Sequence, residues 1–394
     1  MDVRQAAAPA ARPSPTVPID WRALFWQALV VGIVVGGLWW LVANALHNLE
    51  VRRIAAGFGF LGREAGFGIG EAPIPFSPAD SYARALAVGI LNTLKVAALG
   101  IALATILGLG IGIARLSRNW LLSRLAAAYV EVMRNVPLLV QLFVWYALLQ
   151  GLPTPRQAEG WFGGAVFLTN RGVFLPAPVW QPAFAWALLA FAAGLVAALV
   201  WRALARRRQA ATGERPALLR TTLGLTLIPP LAVLALAGAS VELDTPALRG
   251  FNIQGGWAVT PEFTALLVGL TLYTAAFIGE IVRAGILAVS RGQWEAAAAL
   301  GLDRGATLRL IVLPQALRVI IPPTTSQYLA LTKNSSLAVA IGYPDLVSVA
   351  NTTMNQTGQA IEGVAIIMAA YLTVSLSISA AMNWYNRRIA LVGR

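Results

Sequence analysis

The sequence has no cysteine and a single histidine, His47, among its 394 residues. The absence of cysteine excludes disulfide bonds, zinc–thiolate sites, iron–sulfur clusters and a thiol nucleophile, and one histidine argues against a histidine-ligated metal centre or a Ser-His-Asp triad. Charged residues are also scarce: they make up 12% of the chain, against about 25% of a typical soluble domain. Since so few charges cannot cover the surface of a soluble protein of this length, the composition predicts an integral membrane protein.

Long apolar runs accompany the low charge: 58% of the residues are hydrophobic, and the mean hydropathy is +0.68. A helix needs about 20 apolar residues to cross a membrane. Eight stretches are long enough and are predicted to be transmembrane helices: 24–46, 84–114, 125–149, 184–204, 221–240, 263–290, 317–341 and 361–385. The predicted fold class is therefore an all-α integral membrane protein with about eight transmembrane helices.

Three regions outside or around these helices have a distinct composition. Residues 1–23 are rich in alanine and proline and are predicted to form a disordered cytoplasmic tail. Residues 47–83 are predicted to be a glycine-rich periplasmic loop. Residues 150–262 form an insertion that contains two of the predicted helices between outer loops rich in Trp, Pro and Gly.

The positive charge indicates the orientation of the helices. The formal net charge is +13, and Lys95 and Lys333 are the only lysines, so arginine supplies nearly all of it. When the N-terminus is placed inside, twenty arginines fall on the inner side and seven on the outer side. This asymmetry predicts that both termini are cytoplasmic, and it explains the charge by topology rather than by nucleic-acid binding.

The inner loop at residues 291–314 has the local signals of two short helices. An alanine-rich first helix is predicted to continue the sixth transmembrane helix and to end at Gly301, since glycine readily takes the left-handed conformation that closes a helix. Asp303 is a suitable N-cap for a second helix over 304–313, which Pro314 would end or redirect. The apolar face of this second helix is predicted to contain Leu308, Ile311 and Val312.

Two short helices cannot bury such an apolar face by themselves. One alternative is that the face occupies a groove on another protein, as in helix-in-groove recognition. The other is that it packs against the helical bundle of its own chain. The physical chemistry of the loop leaves both alternatives open.

The same loop fits the pattern E-A-A-x3-G-x9-I-x-L-P, in which x is any residue. All seven fixed positions are matched, by Glu295, Ala296, Ala297, Gly301, Ile311, Leu313 and Pro314. This match resembles the cytoplasmic loop of ABC-type importer permeases, which contains the coupling helix that docks onto the ATPase subunit. The resemblance implies an energy-coupling role for the matched residues, and we add Asp303 and Leu308 to them.

Other stretches are similar to the polar amino-acid uptake branch of that family. They are GILNTLKVA at 89–97, GLGIGIARLSRNWLL at 108–122, YVEVMRNVPLLVQLFVWY at 129–146, YTAAFIGEIVRAGI at 273–286 and LTKNSSLAVAIGYPDL at 331–346. The order of predicted helices and loops along the whole chain resembles that of permease subunits of general L-amino-acid or glutamate/glutamine/aspartate/asparagine importers of Gram-negative bacteria. The resemblance implies a five-helix type I importer core within 84–149 and 263–394, to which the helix at 24–46 and the insertion at 150–262 are added.

The resemblance also implies which functions belong to partner subunits. The chain has no Walker A phosphate-binding pattern, so ATP and Mg are expected on a partner ATPase, and no cofactor, metal or catalytic residue is expected on this chain. The implied partners are a second homologous permease subunit, two copies of a cytoplasmic ATPase, a periplasmic amino-acid-binding protein and the lipid of the bacterial inner membrane. The implied mechanism is alternating access driven by ATP.

Polar side chains within the apolar helices are candidates for the substrate path, because such groups are costly in a membrane. They are Glu280, Lys333, Ser335, Ser336, Gln327 and Gln141, and Lys95 is a further cation in such a position. Glu280 and Lys333 have the charges that the ammonium and carboxylate groups of an amino acid require. Two other interpretations stay open: Glu280 forms an i,i+3 ion pair with Arg283, or these polar groups serve helix packing and gating.

Two other functions fit the same composition. One is a secondary transporter driven by an ion gradient through Glu280 and Lys333, and the other is a membrane anchor that transports nothing. An enzyme is not expected, because the single histidine lies in an outer loop and no pair of carboxylates is placed for acid–base chemistry.

Overall fold

The computed structural model describes residues 21–51, 57–213, 217–238 and 242–389. Residues 1–20 of the predicted tail lie outside the described residues. Helices occupy most of the described chain. They are α1 Trp21–Val51, α2 Tyr82–Arg115, α3 Trp120–Asn135, α4 Leu138–Gln150, α5 Pro182–Thr212, α6 Leu218–Leu236, α7 Pro261–Leu287, α8 Arg291–Ala299, α9 Arg304–Thr307, α10 Leu313–Asn334, α11 Leu346–Thr357 and α12 Ala360–Ile389.

Short elements of other kinds connect these helices. Two 3-10 helices span Phe58–Gly62 and Ser335–Ile341, and a π-helical turn spans Leu308–Val312. The strands are β1 Gly160–Trp161, β2 Val166–Thr169, β3 Gly172–Leu175, β4 Ala177–Pro178, β5 Leu243–Asp244, β6 Ala247–Arg249, β7 Asn252–Gln254 and β8 Trp257–Val259.

The number of membrane-spanning helices agrees with the sequence. Seven described helical stretches are long and apolar enough to cross a membrane, and the count is eight if the bent pair α3–α4 is taken as one span. This confirms the predicted all-α membrane class. Residues 21–23 were predicted to belong to the tail, but α1 begins at Trp21; the last proline before this helix is Pro18, so no helix breaker separates residues 21–23 from the apolar run.

The predicted continuous helix at 125–149 is wrong, because the chain bends by 106° between α3 and α4. Pro137 has no N–H group, and it holds Val136 in an extended conformation with ψ of 128°. The Gln141 side chain compensates for the break: its Nε2 donates hydrogen bonds of 2.9 Å to the carbonyl oxygens of Met133 and Val136. Gln141 therefore stabilises the corner between two helices.

The core of the bundle is built around α7, which packs closely against α2. Gly108 and Gly112 of α2 allow this approach, since a Cβ added at either would lie 2.7 Å from the side chain of Ile278 or Val282. Leu266 and Leu270 of α7 are fully buried. Helices α4, α10 and the 3-10 helix after α10 pack around the same pair.

The insertion forms a helical hairpin beneath a small sheet. Helices α5 and α6 pack against each other, with Gly194 against the backbone of Leu225. The loops before α5 and after α6 contain strands, which the sequence analysis did not predict. These loops are joined because β3 pairs antiparallel with β8 in a sheet of order β1-β2-β3-β8. We call this end of the bundle the sheet end; the opposite end, where α7 stops and α8 starts, is the loop end.

Residues 57–81 form a distinct layer at the sheet end, which we call the cap segment. The predicted loop at 47–83 is corrected on one side, because α1 continues to Val51. Phe60 and Ala65 of the cap segment are buried with Tyr82, Leu86 and Leu346 in a second, smaller core. The glycine-rich composition therefore accompanies an ordered structure rather than an open loop.

Candidate functional site

The loop at 291–314 is separate from the helix that precedes it. Helix α7 ends at Leu287, and α8 begins anew at Arg291 after Ser290, which has an extended conformation with ψ of 145°. The prediction that the sixth transmembrane helix continues through this region is therefore wrong. Ser290 occupies the N-cap position of α8, although its side chain makes no cap hydrogen bond.

The turn between the two short helices has the predicted geometry. Gly301 has a left-handed φ of 70°. Its N–H donates to Ala298 at 3.0 Å, and the next N–H, of Leu302, donates to Ala297 at 3.1 Å, which is the hydrogen-bond pattern of a Schellman motif. Asp303 then caps α9, with Oδ1 accepting the N–H of Ala306 at 2.7 Å. Local signals were sufficient to predict this turn.

The second helix differs from the predicted one at 304–313. Helix α9 has only four residues, and a π-helical turn at Leu308–Val312 leads directly into α10. Pro314 lies in the first turn of α10 and neither ends nor redirects the helical path. The wider π turn removes the clash that a proline ring would make with the carbonyl four residues before it.

The loop presents two different faces. Val312 is buried in the main core and Trp294 packs against it, whereas Ala297 is buried and Ile311 is half-buried. Leu300 and Leu310, by contrast, are 77% and 62% exposed. Glu295, Ala296, Leu308 and Leu313 are exposed as well. The loop thus packs on its own chain through one side, while Leu300 and Leu310 remain exposed for a further contact.

A cavity of about 800 Å³ lies between this loop and the ends of α2 and α7. Its lining is mainly apolar and includes Trp294, Ile113 and Leu287. Arg118, Arg304 and Arg309 lie at its border. The loop contacts the bundle beside this cavity, because Val312 belongs to the main core and Trp294 packs against it.

Glu280 belongs to a charged cluster at the loop end. Its Oε1 accepts a hydrogen bond of 2.6 Å from Nη2 of Arg283, and its Oε2 contacts Nη1 of Arg115 on α2. The predicted i,i+3 pair is therefore present. Among the described residues Lys333 is not within ion-pair distance of Glu280, so the pairing of these two around a substrate is not formed.

A polar cavity of about 430 Å³ adjoins this cluster. It is lined by Arg115, Glu131, Arg134, Asn135, Phe277 and Glu280, among others. Arg134 also lies over the ring of Phe277, 5.1 Å from its centroid. The sequence analysis did not single out Glu131 as a site residue, although the Glu-x-x-Arg spacing that it shares with Glu280 was an available signal.

The other candidate path residues do not join this cluster. Ser335 and Ser336 each donate a hydrogen bond of 2.7 Å to a backbone carbonyl of α10, so both hydroxyls serve the transition from α10 to the 3-10 helix. Lys333 is exposed near the end of α10, and Gln327 is half-buried on that helix. No group of three or more metal-ligating side chains occurs in the described part of the chain.

Most of the chain matches a known protein family. Residues 104–391 match the family described as binding-protein-dependent transport system inner membrane component. The chain is 49% identical over 375 residues to the general L-amino acid transport system permease protein AapQ of Rhizobium johnstonii, covering 95% of this chain and 94% of the relative. It is 45% identical over 405 residues to the glutamate/glutamine/aspartate/asparagine transport system permease protein BztB of Rhodobacter capsulatus, covering 95% of each.

Proposed function

Because the chain belongs to the family of binding-protein-dependent transport system inner membrane components, we propose that it moves polar L-amino acids inward as a permease subunit of an ATP-driven importer in the bacterial inner membrane. The observation that carries the substrate class is likeness along almost the whole chain to permeases named for these amino acids. The family does not favour the alternative of a transporter driven by an ion gradient.

The exposed side of the 291–314 loop is the proposed contact with the ATPase. Glu295, Leu300 and Leu310 are exposed, while Val312 and Trp294 hold the loop against the bundle. Movement of the ATPase against the exposed side of the loop would therefore be transmitted to the bundle through the side of the loop that packs on it. Two ATPase copies, which bind ATP and Mg, a second homologous permease and a periplasmic amino-acid-binding protein complete the proposed assembly in the lipid membrane.

The arginine distribution supports the proposed sidedness. In the proposed orientation, the loop end and both termini lie in the cytoplasm and the sheet end lies in the periplasm. The binding protein would then deliver the substrate to the sheet end.

For the substrate path we propose the cavity beside Glu280 in place of the pair Glu280 and Lys333. Two carboxylates and two guanidinium groups line it, from Glu131, Glu280, Arg115 and Arg134. A zwitterion needs an acceptor for its ammonium group and a donor for its carboxylate, and this lining offers both.

The proposed coupling role is tested at Gly301. The Gly301→Trp variant places a bulky side chain on a left-handed residue, which is strained in this conformation, and the side chain would project into the proposed ATPase contact. We expect at least about a tenfold loss of labelled glutamate and glutamine uptake, a change of about 1.4 kcal/mol, with loss of ATPase co-purification and a normal membrane level.

Gly301→Asn is the matched control for this test. Asparagine tolerates the left-handed conformation, and a Cβ at this position meets no atom within 4 Å. This variant should keep most of the uptake. Full uptake and an intact complex in the Gly301→Trp variant would contradict the assignment of the loop, and a parent complex that takes up none of these amino acids would contradict the substrate class.

A further inference from the structure

The cap segment is fixed to the bundle by more than its buried aromatic residue. Arg84 of α2 donates a hydrogen bond of 2.7 Å to the carbonyl of Pro75. At the start of the segment, the N–H of Gly57 donates to Glu362 of α12 at 2.5 Å, and Gln359 donates to the carbonyl of Gly57 at 3.1 Å. The segment therefore has a defined position above α2, α11 and α12.

Glu71 is the residue through which the cap segment joins α2 to α7. Its Oε1 lies 2.6 Å from Nζ of Lys95 on α2. Its Oε2 accepts a hydrogen bond of 2.6 Å from Oγ1 of Thr260, the residue that caps α7. One carboxylate from outside the bundle thus connects a position inside α2 to the start of α7.

The backbone of Glu71 extends this connection to the chain before α11. Its carbonyl oxygen accepts a hydrogen bond of 2.8 Å from Nδ2 of Asn92, and the same amide nitrogen donates to the carbonyl of Pro344 at 2.9 Å. One turn of α2 therefore contacts the cap segment and the segment that leads into α11.

Lys95 depends on this carboxylate. Within the described ranges, Glu71 provides the one carboxylate at ion-pair distance from Lys95, whose Nζ also lies 4.2 Å from the centroid of the Phe263 ring on α7. An unpaired ammonium group within a membrane helix is costly. When Glu71 separates from Lys95, the Lys95 ammonium group therefore needs another polar partner, such as water or substrate that enters at the sheet end.

The two ends of the α2–α7 pair are held in different ways. Toward the loop end, Gly108 and Gly112 bring the helices into close van der Waals contact over more than one turn. At the sheet end, polar contacts centred on Glu71 also span the pair, beside the buried Val96 of α2 and the buried Phe263 and Leu266 of α7. Polar contacts of this kind can be exchanged for water, whereas close packing cannot be opened without losing the contacts along its whole length.

We propose that Glu71 is a latch: its bridge between Lys95 and Thr260 holds the sheet ends of α2 and α7 together, and it releases when this end opens to admit substrate. The inference rests on the proposed importer function, in which the sheet end is the outer side. It gives the cap segment a direct part in the transport cycle.

The absence of cysteine from this chain permits a reversible covalent test. In the assembled importer, with partner subunits free of cysteine, Glu71→Cys and Thr260→Cys are combined and joined by a bifunctional methanethiosulfonate reagent. We expect amino-acid uptake to fall at least about tenfold when the pair is joined, within the usual range of conformational coupling, and to recover when a reductant cleaves the link.

The matched control joins Ser77→Cys to Asp80→Cys with the same reagent. These residues contact each other within the cap segment, where the Ser77 N–H donates to Asp80 at 2.7 Å, so the link does not cross to α7. Uptake should persist in this control. Unchanged uptake by a fully cross-linked 71–260 pair would overturn the proposal.

A second measurement separates a latch from a merely structural contact. Glu71→Gln keeps the shape of the side chain but weakens the bridge, so we expect ATPase activity without binding protein to rise about five- to tenfold. The exchange of Glu71→Lys with Lys95→Glu should return this activity toward the parent value. A lower membrane level with no rise in ATPase activity, or a failed exchange, would indicate a structural contact and overturn the proposal.

A thiol reporter distinguishes failure of the latch from failure of the proposed function. Ser348 lines a cavity of about 460 Å³ next to Glu71 and Thr260, so Ser348→Cys reports access to the sheet end without any substrate. Glu71→Gln should accelerate its labelling by a membrane-impermeant maleimide. Faster labelling in an importer that takes up no amino acid would support the latch and reject the substrate class, whereas unchanged labelling in an active importer would reject the latch.

Discussion

Asp345 is a fully buried acid at the start of α11. Its Oδ1 accepts the N–H of Ser348 at 2.8 Å. Burial raises the pKa of this carboxyl from 3.8 to about 6, and hydrogen bonds from the backbone and from Tyr371 offset only part of that rise. The carboxylate form is therefore costly in the folded protein.

This raised pKa makes stability depend on pH. The folded state binds the Asp345 proton more tightly than the unfolded state does. The loss of folding stability caused by the buried charge is therefore complete above pH 6 and disappears below the ordinary pKa of 3.8. Acidification through this window should stabilise the fold by on the order of 3 kcal/mol from this group.

The Asp345→Asn variant isolates the effect, since asparagine keeps the capping oxygen but does not titrate. Thermal unfolding of both proteins in detergent, from about pH 4.5 to pH 8, should give a stabilisation on acidification that is smaller in the variant. Parallel curves for the two proteins would show that Asp345 is not the source.

Residues whose roles depend on near neighbours in the chain could be predicted from the sequence. The left-handed Gly301, the cap at Asp303 and the pair of Glu280 with Arg283 all have partners within one turn of helix. Glu71 and Lys95 are 24 positions apart, and Glu71 and Thr260 are 189 apart. No local signal brings such residues together, so the Glu71 bridge was missed.

At the scale of elements, apolar length predicted the helices well but not their breaks. Pro137 interrupts a predicted helix, whereas Pro322 and Pro323 lie inside α10 without ending it. The presence of a proline therefore does not by itself determine whether a helix ends. At Pro137 the carbonyl groups beside the break are satisfied by the Gln141 side chain, from 8 and 5 positions away in the chain. The apolar pattern does not reveal this local role.

The close contact of α2 with α7 leads to a prediction about helix packing. Gly108→Ala places a methyl group 2.7 Å from Ile278 and 3.1 Å from the carbonyl of Ala275. We expect a loss of about 1–3 kcal/mol from overpacking, measured as a lower unfolding temperature in detergent.

Gly110→Ala is the matched control on the same helix. A Cβ at Gly110 meets no atom within 4 Å, and alanine favours helix over glycine by about 1 kcal/mol. This variant should be as stable as the parent protein or slightly more stable. Equal stability losses in both variants would mean that helix contact at Gly108 is not the cause.

At the scale of the whole molecule, burial is concentrated in α7. In the apolar stretch of α7 that is long enough to cross a membrane, 61% of the residues are buried. The corresponding stretches of α1, α6 and α12 have no buried residue in the structure of this chain. These three helices leave their apolar surfaces for lipid or for another subunit. This distribution supports the proposed assembly with a second permease. Helix α12 belongs to the five-helix importer core, yet its apolar surface is not covered by this chain.

Residues 176–256 of the insertion leave and re-enter the sheet at neighbouring positions, so the removal of this segment can be tested. Leu175 of β3 pairs with Trp257 of β8, and an Asn-Gly turn can join two antiparallel strands at such a position. Replacing residues 176–256 by Asn-Gly should give a chain that reaches the membrane at about the parent level, since close ends tolerate such exchanges. Membrane fractionation and unfolding in detergent measure this.

The control for this deletion joins residue 165 to residue 257 with the same Asn-Gly turn. This removes β2 and β3, which include the partner of β8, and should lower the membrane level. Equal levels for the two deletions would show that the pairing of β3 with β8 does not determine tolerance, and failure of both would show that the core requires the insertion.

The pairing of β3 with β8 also means that the segment between these strands can differ in length without altering the path of the rest of the chain. The two ends of the segment are adjacent in space, because Leu175 and Trp257 are paired. The α5–α6 hairpin therefore lengthens the polypeptide at one point of the sheet, and the strands on either side keep their hydrogen bonds.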